Sequence, residues 1–219
     1  MRVGVGALGV LLVGCATARP LRPLEPGAAA AEVAVPGVLV RTDTYEMPVG
    51  VVLVGARYGL TSDVELRARL HMMTLVKGIV GLEAGGVYHA FTARGLVPGL
   101  HVTGDVAALT SPGHWGGSVS DSVRGAASLG VLADVAPLPW VRPYLGVEQV
   151  VVFYDGAYVV SFALGLQLEL GRFELSLETG LAGLNRSSRD YTEPYVGLWG
   201  RGAVWLSWGL AYRFGGEGR

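Results

Sequence analysis

From about residue 37 onward the dominant periodicity of the chain is two, sustained over long stretches. In DVELRARLH, Val64, Leu66, Ala68 and Leu70 share one phase, and Glu65, Arg67, Arg69 and His71 share the other. An extended strand sends successive side chains to opposite faces, so this spacing gives one apolar and one polar face, whereas a helix would mix them. The pattern recurs in YVVSFALGLQLEL. There Phe162, Leu164, Leu166 and Leu168 oppose Ser161, Ala163, Gly165, Gln167 and Glu169. RFELSLETGL and RGAVWLSWGLAYRF repeat it.

Turn-forming clusters separate these runs: LTSD at 60–63, TARG at 92–95, PLP at 137–139, YDGA at 154–157 and LGRF at 170–173. Ten strands are predicted, near 37–45, 50–59, 63–72, 78–91, 97–109, 122–136, 140–153, 157–170, 172–184 and 200–214. Many are longer than the roughly 5–6 residues of ordinary sheets and match the roughly 9–11 that cross a bilayer. Glycine, 34 residues of 219, recurs inside the apolar stretches, where each would weaken a helix by about 1 kcal/mol. After residue 15 no apolar run reaches the length of a membrane helix. The formal net charge of −1 offers nucleic acid no electrostatic footing.

Alternation leaves open which face meets solvent. A soluble barrel turns its apolar face inward; a membrane barrel turns it toward lipid around a polar lumen. Three features favour the second. The polar phase mixes small residues with charges of both signs, suited to a narrow lumen where ions pair. Aromatics gather at predicted strand ends, among them Tyr58, Tyr88, Trp140, Phe153, Tyr195 and Phe214, where amphipathic rings favour a membrane interface. Short connections alternate with long ones, TSPGHWGGSVSDS at 110–122 and NRSSRDYTEPY at 185–195 among the latter. The expected fold is therefore all-β: an antiparallel up-and-down transmembrane β-barrel of about 10 strands (range 8–12) over residues 37–214. ARYGLTSDVELRARL and the closing LAYRF resemble hairpins and terminal strands of bacterial outer-membrane β-barrel proteins. That resemblance is one of style across the barrel and singles out no subfamily.

The chain begins with Met1, Arg2 and the apolar run 3–13, the pattern of an export signal too short to span a bilayer. Leu12-Val13-Gly14-Cys15, holding the single cysteine, resembles the lipobox of bacterial lipoproteins. The resemblance implies cleavage after residue 14, a covalent lipid on Cys15 and, with Ala16 next, retention at the outer membrane. Residues 15–36, rich in Pro and Ala, are expected to form a tether, and 215–219 a short polar tail.

No motif specifies catalysis. The expected lumen network comprises Glu65, Arg67, Arg69, His71, Glu83, His89, His101, Asp105, Arg142, Glu148, Glu169, Glu174, Glu178, Arg201 and Arg213. His71, His89 and His101 share the polar phase of adjacent strands, and a lumen hydrogen-bond network accounts for them more simply than a metal or an acid–base pair. His101, Thr103 and Asp105 lie on one face without an established catalytic signature. The predicted role is structural or interactive, with a closed charged lumen and no cofactor beyond the lipid on Cys15. Its partners would be outer-membrane lipid and an extracellular molecule met through 110–122 and 185–195, with no nucleic acid. The alternatives are a periplasmic lipoprotein whose soluble barrel binds an apolar ligand, and a lipid-modifying barrel enzyme.

Overall fold

A computed structural model describes residues 19–41, 46–72, 80–110, 124–153, 157–187 and 195–215. Its strands are β1 (Ala29–Arg41), β2 (Glu46–Gly50), β3 (Leu53–Gly59), β4 (Val64–His71), β5 (Val80–Phe91), β6 (Gly95–Thr110), β7 (Arg124–Ala136), β8 (Val141–Val152), β9 (Ala157–Leu170), β10 (Phe173–Ser187) and β11 (Arg201–Phe214). Each wall strand pairs antiparallel with the next, and β11 returns to β1 from Ala29↔Phe214 to Val38↔Trp205. The sheet is thus a closed barrel without edges, which leaves no row of unpaired backbone groups facing hydrocarbon.

β2 and β3 are two halves of one wall strand. Both pair with β1 in a single register, Leu39↔Pro48 in one half and Val33↔Val54 in the other. The break has a chemical cause. The Val51 N–H donates to the Pro36 carbonyl at 2.9 Å, but Pro36 has no N–H to return. The wall therefore has ten strands, with both its first and its last residue at the same end. That end carries the tight turns 60–63, 92–94, 137–140 and 171–172. At 60–63 the Thr61 hydroxyl accepts the N–H groups of Asp63 and Val64. At 171–172 Gly171 takes φ +66°, a conformation that costs glycine little.

The apolar phase points outward. Leu164 is 54% exposed, and Leu66, Leu82, Leu129, Leu145, Leu177 and Leu206 are exposed likewise. Tyr58, Tyr88, Trp140, Phe173 and Phe214 are exposed near the tight-turn end, and Phe153 and Tyr158 near the other. The ions point inward: Arg57, Glu65, Arg69, His101 and Asp134 are each no more than 2% exposed. This is the arrangement of a transmembrane barrel, and it overturns the soluble-barrel alternative, which requires the leucines at the centre.

Three expectations need correction. The first strand starts at Ala29, not near 37, so the stretch expected as tether supplies half of β1. Its alternation is real, with Glu32 and Ala34 inward, but Pro36 obscures it in sequence. Tyr195, expected at the membrane interface, is buried in an apolar lumen cluster with Val38, Val150, Val159 and Trp205. In the segment 185–195, residues 185–187 continue β10, while 188–194 lie outside the described residues. So do 111–122 of the other long segment, Cys15 and the whole of 1–18, and residues 216–219 of the expected tail.

Candidate functional site

The lumen is layered. Toward the long-connection end it is filled by the apolar cluster just described. Toward the tight-turn end it holds a continuous ionic network built from alternate residues of facing strands. On β3, Arg57 reaches Glu65 of β4 at 3.2 Å, Glu32 of β1 at 3.3 Å and Glu174 of β10. Arg69 of β4 bridges Glu32 at 2.5 Å and Glu83 at 2.9 Å. Arg67 grips both oxygens of Asp105, Nε lying 2.6 Å from Oδ1. Arg142 of β8 joins Glu169 at 2.7 Å to Asp134 at 3.0 Å, and Arg213 of β11 meets Glu174. Such pairing is what lets ions persist away from water, since each buried charge alone would cost several kcal/mol.

Every residue of the expected network except Arg201 faces this interior. Arg201 is exposed at the start of β11, its guanidinium directed to the Leu184 carbonyl. There the strand runs past the lumen's end, where the inward phase no longer means burial. The histidines divide. His89 and His101 meet Nδ1 to Nδ1 at 2.8 Å, one ring donating to the other, and His101 Nε2 lies 3.0 Å from Asp134. His71 is elsewhere, 3.9 Å from Glu83. Among the described residues no cluster of three metal-ligating side chains forms. His101, Thr103 and Asp105 do not assemble into a triad, because Asp105 is held by Arg67 while His101 turns to His89 and Asp134.

Sequence reasoning missed the segment that completes the network. Residues 19–24 enter the lumen instead of lying outside the barrel, with Arg22 exposed at its mouth, and 25–28 pass over the rim. Arg19, 3% exposed, lies 2.9 Å from Glu148 and 3.1 Å from Glu178. The Tyr144 hydroxyl donates to Glu178 at 2.5 Å. Arg22 lies 2.9 Å from Glu169. The Leu21 N–H donates to the Gln167 side-chain oxygen at 3.3 Å, and the Leu24 N–H to Glu65 at 3.2 Å. Leu21 is fully buried against Leu132 and Tyr144. At the rim the Gly27 N–H donates to the Gly59 carbonyl, and the chain turns into β1. The overlooked signal is Arg19-Pro20-Leu21-Arg22-Pro23-Leu24, one tripeptide written twice.

A void beside Arg19, lined also by Arg57, Gln167 and Glu174, measures only about 10 Å³, room for one water. Packing is equally close at Gly165, where a Cβ would fall 2.2 Å from the Tyr144 ring. Gly165→Ala is expected to push Tyr144 off Glu178 and cost about 1–3 kcal/mol, read as a lower denaturant midpoint in micelles.

No protein-family model matches the chain, and no curated protein matches it. Solved structures do. The COG4313 outer membrane channel from Pseudomonas putida F1 aligns with 90% of this chain and 99% of its own, at 9% identity and a TM-score of 0.49. The NanC porin aligns with 85% of this chain and 100% of its own, at 10% identity and 0.46. A structure from the de novo design of transmembrane β-barrels aligns with 88% of this chain and 99% of its own, at 11% identity and 0.39. These likenesses concern barrel architecture alone.

Proposed function

We propose that this chain is a bacterial outer-membrane lipoprotein whose body is a closed barrel with a structural or interaction role. The observation that carries the reading is the ion-paired lumen filled by residues 19–24, wrapped in a wall of outward leucines. A sealed barrel moves no solute, so its working surface is the set of long connections at the far end, 110–122 and 185–195 among them. They would meet an extracellular partner while the wall meets lipid. The lipid on Cys15 adds a second hold. Acyl chains contribute about 0.8 kcal/mol per buried CH₂, whereas the barrel is held by its whole apolar band.

Two measurements test this. In carbonate-washed membranes Cys15→Ala is expected to stay in the pellet, because the wall anchors the protein without lipid; release into the wash would refute the spanning barrel. In planar bilayers the intact protein is expected to insert without conductance steps, and a stable open channel would refute the sealed lumen.

A further inference from the structure

The lumen wall is acidic by itself. Among the described residues, nine buried carboxylates (Glu32, Glu65, Glu83, Asp105, Asp134, Glu148, Glu169, Glu174 and Glu178) face five wall arginines, Arg57, Arg67, Arg69, Arg142 and Arg213. By formal count the wall's carboxylates outnumber its arginines by four, and Arg19 and Arg22 of the inserted segment make up two of the difference.

The segment is also met in a repeating manner. In each Arg-Pro-Leu unit the guanidinium meets a carboxylate: Arg19 meets Glu148 and Glu178, and Arg22 meets Glu169. In each, the leucine N–H donates to a side-chain oxygen, of Gln167 for Leu21 and of Glu65 for Leu24. In each, the leucine side chain is buried, 0% and 4% exposed. A three-residue repeat with proline at its centre suits the extended polyproline conformation, which turns once every three residues and leaves its backbone N–H and C=O groups free for a partner. Proline fixes φ in advance and lowers the entropy of ordering such a ligand. The wall thus supplies, twice over, a carboxylate for the guanidinium, an acceptor for the leucine N–H and a cover for leucine, with Arg19 enclosed and Arg22 held at the mouth.

We propose that the tight-turn half of the lumen is a peptide-binding site, which reads an extended Arg-Pro-Leu repeat and is occupied in cis by residues 19–24. The ligand class is an arginine- and proline-bearing extended peptide entering from the rim at Gly27 and Gly59. This inference rests on the sealed-barrel reading and adds that the seal is an exchangeable ligand.

The test uses the full chain with Arg19→Ala and Arg22→Ala, refolded in micelles, and a fluorescent peptide ARPLRPLEPG copied from residues 18–27. Folding is checked separately by heat-modifiable migration. The double variant is expected to bind the peptide saturably and the wild type at least tenfold more weakly, because its own segment competes. A control peptide with both arginines replaced by alanine is expected to bind at least tenfold more weakly. Adding Glu148→Gln and Glu178→Gln to the variant is expected to cost a further tenfold or more. A folded variant that ignores the peptide, or takes both peptides equally, overturns the peptide site and leaves the sealed barrel standing. Conductance of the wild type refutes the seal itself. Should the double variant not fold, Arg22→Ala alone, with the peptide in excess, gives the same comparison of the two peptides.

Discussion

Arg57→Ala is expected to destabilise the barrel by about 3–5 kcal/mol, the range for removing one partner from a buried ionic cluster. Arg57 is 2% exposed and ties β3 to three other strands through Glu32, Glu65 and Glu174. Its loss leaves Glu65 without an arginine and takes one of two arginines from Glu32 and from Glu174, which keep Arg69 and Arg213. The Coulomb attraction the cluster contributes is partly offset by desolvation; the damage comes from leaving charges unmatched. Reversible urea unfolding in lipid vesicles, followed by tryptophan fluorescence, reads the effect. A loss under about 1 kcal/mol would match an exposed ion pair and would mean that water reaches Arg57 freely. Arg67→Ala likewise strips the buried Asp105 of its bidentate arginine and is expected to cost a comparable amount.

Leu164→Arg is expected to cost about 2–4 kcal/mol in vesicles, the penalty for arginine at mid-depth on the lipid face of a barrel. Leu164 stands mid-strand on β9, more than half exposed. On a water-facing wall the same change would fall within about 0.5 kcal/mol, as surface substitutions usually do. The two readings of the alternation therefore differ severalfold at one residue. Equal stability of Leu164→Arg and the parent would remove the bilayer from the description. Gln167→Leu, on the opposite face of the same strand, serves as the inward control, because it removes the acceptor of the Leu21 N–H.

How far the sequence carried the fold depends on what punctuates each strand. β4, β9, β10 and β11 were legible because apolar and polar residues alternate without interruption and glycine-rich turns bound them. The direction of the leucines followed from the arginines and glutamates opposite, which no exposed sheet needs in such number. β1 was not legible. Pro36 stands in its middle, and the alternation of Glu32 and Ala34 against Val33 and Val35 lies within a run of alanines that reads as tether. Proline is disfavoured inside sheets because it lacks a donor, and the structure tolerates it by breaking the neighbouring strand at Val51. The lumen network was legible residue by residue, because one face of a strand in a narrow barrel has nowhere else to point. Arg19 and Arg22 were hidden because no strand carries them. Their position is set by carboxylates more than a hundred residues away, Glu148, Glu178 and Glu169. Arg201 misled for the converse reason: strand phase gives a direction, while the length of the lumen decides whether that direction ends in protein.

The depth of Arg19 also limits how far the start of the chain can stray. Three residues lie between it and Cys15, and four fully stretched residue-to-residue steps reach about 14 Å. The lipid proposed for Cys15 would therefore start within that reach of Arg19, whose guanidinium Glu148 and Glu178 hold.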